Sequence, residues 1–94
     1  MAGRDILARI RRAVRDGHYH ITDHALEEAG TDNLLEEDIL GVLLAGALDS
    51  VYTDEWRGPR FVVRGDIHEL EVDVVCRFLG DGTLLIIVTV YVVD

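Results

Sequence analysis

The sequence predicts one α+β domain, with helices packed on a C-terminal antiparallel β-meander of about four strands. Two observations carry this. Up to Ala45 apolar residues recur at three- and four-residue intervals, the spacing of one helix face. From Val72 onward they recur at every second residue, the spacing of one strand face. A third observation marks the joints: Gly17, Gly30, Gly46, Gly80 and Gly82 stand where periodic segments stop.

Arg4 to Asp16 reads as a helix because Ile6, Leu7, Ile10, Ala13 and Val14 share one side, with Arg4, Arg11 and Arg15 along its edge and Gly17 as the stop. His18 to Thr22 alternates and suits a short strand. Thr22 or Asp23 offers an N-cap for a short second helix, His24 to Ala29, closed by Gly30. Asn33 with Glu36 three residues on has the form of a capping box. It opens a third helix to Ala45, with Leu35, Ile39, Val42 and Leu43 as its stripe and Gly46 as its end.

Ala47 to Thr53 and Arg60 to Arg64 read as strands joined through Trp56-Arg57-Gly58-Pro59. Val72, Val74, Cys76 and Phe78 alternate with Glu71, Asp73, Val75 and Arg77, a half-buried strand with a polar face. Gly80-Asp81-Gly82 is a hairpin connection to Leu84–Val93, which is apolar on both faces and therefore expected inside the sheet.

Ninety-four residues suffice for one domain, 1–94, and 49% of them are hydrophobic, a globular composition. Cys76 is the single cysteine, so neither a disulfide framework nor a cysteine zinc site is expected, and a reducing, cytoplasmic setting fits. The N-terminus has no apolar stretch of the signal-peptide kind, and Leu84–Val93 falls short of the roughly 20 residues that span a bilayer, so no membrane partner is expected. All nine cations are arginines. Residues 1–22 hold five of them against two acids, residues 23–55 hold ten acids and no cation, and the whole chain is at −9. Charge of that sign repels nucleic acid at long range, so an RNA reader would need a local basic patch, whereas a basic protein partner would be attracted.

His20, Thr22 and His24 cluster where the short strand enters the second helix. A helix N-terminus favours neutral imidazole, so His24 suits a general base; its plain alternative is a helix-start residue bonded to backbone. His18 and His20 would share a strand face and His24 and Glu28 a helix turn, yet the set matches no zinc signature, and no metal or other cofactor is expected. Arg60, Val62 and Arg64 alternate onto one strand face. Thr89 and Tyr91 are expected to share a face of the last strand with Leu85 and Ile87. A phenol and two guanidiniums on one sheet suit a phosphate; the plain alternative is a solvated strand face. Cys76 is expected in the core, and the acids of residues 27–38 on a solvated helix face.

Tyr19-His20-Ile21-Thr22-Asp23-His24-Ala25, then Leu35-Glu36-Glu37-Asp38-Ile39, Gly46 and Tyr52, resemble the DUF4258 family, small bacterial domains of unknown function. Gly58-Pro59-Arg60, Val63-Arg64-Gly65, Asp81-Gly82-Thr83 and Ile87-Val88-Thr89-Val90-Tyr91 extend the likeness over nearly all the chain after the first helix. That family is grouped with RelE-like and BrnT-like toxins. The resemblance implies their helices-then-sheet fold and metal-independent mRNA endoribonuclease activity in a type II toxin–antitoxin pair. It implies an antitoxin protein and RNA as partners, with His24 and Tyr91 near the site and Thr89 and Arg64 as neighbours. His20 and Arg60 are binding candidates beside them. Family members usually place an arginine shortly after the His-Ala pair, where this chain has Leu26-Glu27-Glu28-Ala29. The missing cation and the net charge define the alternative, a non-catalytic interaction module that binds a basic partner. A thin sheet with few helices leaves one face uncovered, so a homodimer is a further expectation.

Overall fold

The helical stripe of the first segment forms α1 (Ala2–Arg15), which buries Ile10, Ala13 and Val14. Gly17, at φ 74°, turns the chain out of it: His18 N–H donates to the Ala13 carbonyl at 2.8 Å and Gly17 N–H to Val14 at 3.2 Å. Those two bonds satisfy carbonyls that the helix end would otherwise orphan. The computed structural model describes residues 2–53, 56, 58–80 and 82–93, with side chains from residue 5. The Arg4 side chain at the edge of the expected stripe, Arg57 of the first turn and Asp81 of the hairpin lie outside the described residues.

Three residues form β1 (Tyr19–Ile21), and α2 (Asp23–Thr31) follows with Thr22 as its N-cap. Gly30 does not close this helix. Asn33, at φ 59°, does so, with Leu34 N–H donating to Ala29 at 2.8 Å and Asn33 N–H to Gly30 at 3.1 Å. Asparagine tolerates the left-handed region, and here it ends one helix rather than capping the next. The cap of α3 (Glu36–Ala45) is Leu35, whose N–H donates to the Asp38 carboxylate at 2.8 Å, the reciprocal half of a capping box without the usual side-chain oxygen. Ile39, Val42 and Leu43 are buried along α3, while Leu35 is exposed.

Four longer strands follow: β2 (Ala47–Tyr52), β3 (Arg60–Ile67), β4 (Leu70–Leu79) and β5 (Leu84–Val92). The sheet therefore has five strands, in the order β1-β5-β4-β3-β2. The four long strands form the antiparallel meander, and β1 adds to β5 in parallel, with Tyr19, His20 and Ile21 opposite Leu85, Ile86 and Ile87. A short alternating segment gives no sign of which strand it joins, because parallel partners are far apart in sequence. The β3–β4 hairpin turns on His68 and Glu69, both at positive φ, between the pair Ile67 and Leu70. That turn geometry favours Asn-Gly, so His-Glu leaves no signal in the sequence.

The helices cover one face of the sheet. Val63, Val72, Val74, Cys76, Leu85, Ile87 and Val90 meet Ile10, Ile39 and Leu43 in one core. Each such aliphatic side chain contributes about 1.5–3 kcal/mol by burial. Cys76 is a core residue, as its alternation implies, and burial pushes its thiol up to about 12.

Candidate functional site

Two β-bulges decide what the uncovered face carries. In β5 the register moves from Cys76–Ile87 to Val75–Thr89, so Val88 is an extra residue. Before it Leu85 and Ile87 point into the core; beyond it Val90 does, and Thr89 and Tyr91 point away. Thr89 and Tyr91 therefore do not share a face with Leu85 and Ile87, because one inserted residue reverses the alternation. In β2 a second shift between Leu48 and Ser50 leaves Asp49 as the extra residue.

The Ile-Thr-x-His-Ala segment clamps the first bulge. Thr22 N–H donates to Ile87 at 3.1 Å, and its hydroxyl donates to Val88 at 3.3 Å while accepting from Ala25 N–H at 3.1 Å. Ala25 and Ala29 are small enough to seat α2 against the sheet, and both are buried. One turn beyond Ala25, the Glu28 carboxylate accepts from Val90 N–H at 3.1 Å. Glu28 is thus not simply part of a solvated acidic face: it satisfies an amide that β1 is too short to reach. Asp38 likewise has a backbone partner at Leu35.

His24 projects from the first turn of α2 with 66% of its side chain exposed, and its Nε2 lies 3.3 Å from Glu28 Oε1. His20, on β1, is exposed opposite Ile86. No three of the histidine, cysteine, aspartate and glutamate side chains gather into a metal-binding set among the described residues.

Arg60, Arg64, Thr89 and Tyr91 do come onto one face, the uncovered one, together with Tyr52, Asp73 and Val75. Across it Ala47, Arg64, Asp73 and Tyr91 form one row of cross-strand partners, and Ser50, Val62, Val75 and Thr89 the next. Arg60 is four residues from Arg64 along β3, roughly 13 Å between Cα atoms, so the two guanidiniums do not converge as one clamp.

Arg64 is already engaged. Its Nε donates to Asp73 Oδ1 at 2.7 Å and its Nη2 to Asp73 Oδ2 at 3.0 Å, a bidentate pair. Nη1 lies 3.4 Å from Asp49 and 4.0 Å from Glu71. The hydrogen bond to Asp73 is the main reason the guanidinium holds its proton more tightly than usual. Asp73 is 2% exposed, the buried charge of this face, and sequence alternation alone placed it on a solvated side. Tyr91 faces the same carboxylate: partial burial first, then Asp73 and nearby Tyr52, raise its pKa. His24 is absent from this network: its described side-chain contact is with Glu28. Asp73 is the residue that the sequence did not single out: its position directly opposite Arg64 depends on the β3–β4 register, which the sequence does not display.

The fold and this face define a small α+β domain with three helices on one side of a five-stranded sheet and a charged, tyrosine-bearing surface on the other. The model of the family described as "Domain of unknown function (DUF4258)" matches residues 21–92, and the chain belongs to that family. No curated protein and no solved structure matches it. No helix among the described residues is long and apolar enough to cross a membrane.

Proposed function

We propose that this domain is a non-catalytic protein-interaction module whose uncovered sheet face docks a basic partner. The observation that carries the reading is the engagement of Arg64. One guanidinium is shared among Asp73, Asp49 and Glu71, so the cluster presents surplus negative charge beside two exposed phenols, Tyr52 and Tyr91. Tyrosines rimmed by charge suit a protein interface, and a cation already paired with a buried carboxylate is poorly placed to take the charge of a phosphorane. Complementary charge would also speed association with an arginine- or lysine-rich surface.

The second reading is a RelE/BrnT-toxin-like, metal-independent endoribonuclease held by an antitoxin, with His24 as base, Tyr91 as acid, and Arg64 and Thr89 beside them. In its favour, Arg60, Arg64, Thr89 and Tyr91 share one open face. Against it, His24 is engaged with Glu28 on α2, outside the Arg64–Asp73–Tyr91 network.

One experiment separates the two. The protein is titrated with an arginine-rich peptide and, separately, incubated with RNA with and without ribosomes in the presence of chelator. The interaction reading expects saturable amide shifts along β3, β4 and β5, weakened by Asp49→Asn with Glu71→Gln, and intact RNA. RNA cleavage that His24→Ala and Tyr91→Phe abolish in folded protein would sink it and establish the nuclease. Light scattering on the same samples reads the homodimer expectation.

A further inference from the structure

On the other side of the molecule, α1 and the β4–β5 hairpin enclose an open cleft of about 260 Å³, lined by Arg9, Arg12, Asp16, His18, Phe78 and Thr83. Its cations are arranged by the fold. The Arg9 guanidinium stacks 4.3 Å from the Phe78 ring centroid and donates to the Gly82 carbonyl at 3.2 Å. A Cβ on Gly82 would come within 3.0 Å of that guanidinium, so the glycine is part of its seat. Arg12 follows one turn along α1. His18 is fixed from both sides through its backbone, its N–H on Ala13 at 2.8 Å and its carbonyl accepting from Leu85 N–H at 3.0 Å. Among the described residues, neither the Arg12 nor the His18 side chain has a hydrogen bond or ion pair.

We infer that this cleft is an anion site that takes a phosphate group, free or as a monoester. Three features select that chemistry. Arg12 offers a fork of donors that matches two phosphate oxygens, Arg9 has donors beyond the one used on Gly82, and His18 adds a ring N–H. Among the described residues Asp16 is the single carboxylate in the lining, and the acid-rich stretch of the sequence begins only at residue 23. Charges farther away than the Debye length of about 8 Å at physiological ionic strength are screened, so the local cations govern the cleft despite the net −9. Finally, the Phe78 ring is already engaged, with Arg9 stacked on it and Phe61 at 6.3 Å in an edge-to-face contact, so the cleft is built around cations rather than around an aromatic platform for a base. Recognition is of the phosphate group, whether free or esterified.

The test follows backbone amide shifts while the whole protein is titrated with inorganic phosphate and, in parallel, with adenosine 5′-monophosphate, at constant ionic strength set with chloride. Saturable shifts at Arg12, His18 and Gly82 are expected. Arg12→Gln should weaken binding roughly tenfold or more, the weight of charge-assisted hydrogen bonds. Arg15→Gln, which removes the same charge from the same helix but no donor from this lining, should weaken it clearly less than Arg12→Gln does, and Asp16→Asn should tighten it. Tighter binding of the nucleotide than of phosphate identifies an ester as the ligand, and equal binding identifies the free anion; both support the site. Absence of saturable shifts with either probe, or equal losses for Arg12→Gln and Arg15→Gln, overturns it. Neither outcome bears on the uncovered sheet face, whose variants lie on other elements.

Discussion

The two edges of the sheet are finished in opposite ways. At the β5 edge the chain supplies a three-residue parallel strand and then a helix. Where β1 runs out, Thr22 takes the carbonyls of Ile87 and Val88, and Glu28 takes the Val90 amide. At the β2 edge the chain supplies no such cover among the described residues: Val51 and Tyr52 are exposed there, and a bulge at Asp49 with its carboxylate is the main irregularity. An unpaired edge invites another strand, and charge and bulges are the usual deterrents. The Ile-Thr-x-His-Ala segment is thus first of all an edge closure. Thr22, Ala25 and Glu28 act in the architecture, and the exposed His24 rides on it.

Variants break this contrast in order of size. Ile87→Asp puts a carboxylate at a fully buried position between β1 and β4, with no cation beside it, and no cooperatively melting protein is expected by circular dichroism. A soluble, cooperatively folded Ile87→Asp protein would refute the closed-edge description. Next is Glu28→Arg, which inserts a cation close to where the family resemblance implies one. It orphans Val90 N–H and should cost about 1–3 kcal/mol in urea denaturation, whereas Glu27→Arg, on an exposed side chain, should leave the midpoint unchanged. Equal effects would mean that the edge bond contributes nothing.

Thr22→Ala removes the α2 cap and the bulge bond together and should cost about 1–2 kcal/mol, while Asp49→Ala on the open edge should not move the midpoint measurably. A larger loss at Asp49 than at Thr22 would invert the comparison. The smallest effect concerns pH. The Cys76 thiol ionises near 12 in the folded chain and near 9 when exposed, so its raised value favours the folded state below pH 9 and penalises it as pH rises. Stability should fall from pH 9 upward, by on the order of 1 kcal/mol at pH 10, and a Cys76→Ser or Cys76→Ala background should lose that component of the pH dependence.

Much of this could be read in advance, and the exceptions share a cause. The stripes of α1 and α3, the core side of β4 and the placement of Cys76 follow from periodicity, which a single sequence displays directly. The common face of Arg60 and Arg64 is legible for the same reason. The Val88 bulge is not, because one extra valine in an apolar run changes neither composition nor pattern, yet it alone moves Thr89 and Tyr91 across the sheet. Asp73 was legible as a strand residue but not as the buried partner of Arg64, since that depends on β3–β4 register, set by a His68-Glu69 turn without the usual turn residues. Glu28 looked like one more surface acid because its partner, the Val90 amide, is 62 positions away.

The Val88 bulge has one more consequence. Along β5 it works as a phase shift: the strand keeps one parity before it and the opposite parity after it. What must be preserved at that place is a count rather than a chemical identity. Replacing Val88 by another β-compatible residue leaves both parities intact, whereas deleting it would turn Val90 outward and drive the Tyr91 phenol toward the core. In this chain the number of residues through the last strand is therefore itself a structural requirement, and losing one residue there would build the open face from different side chains.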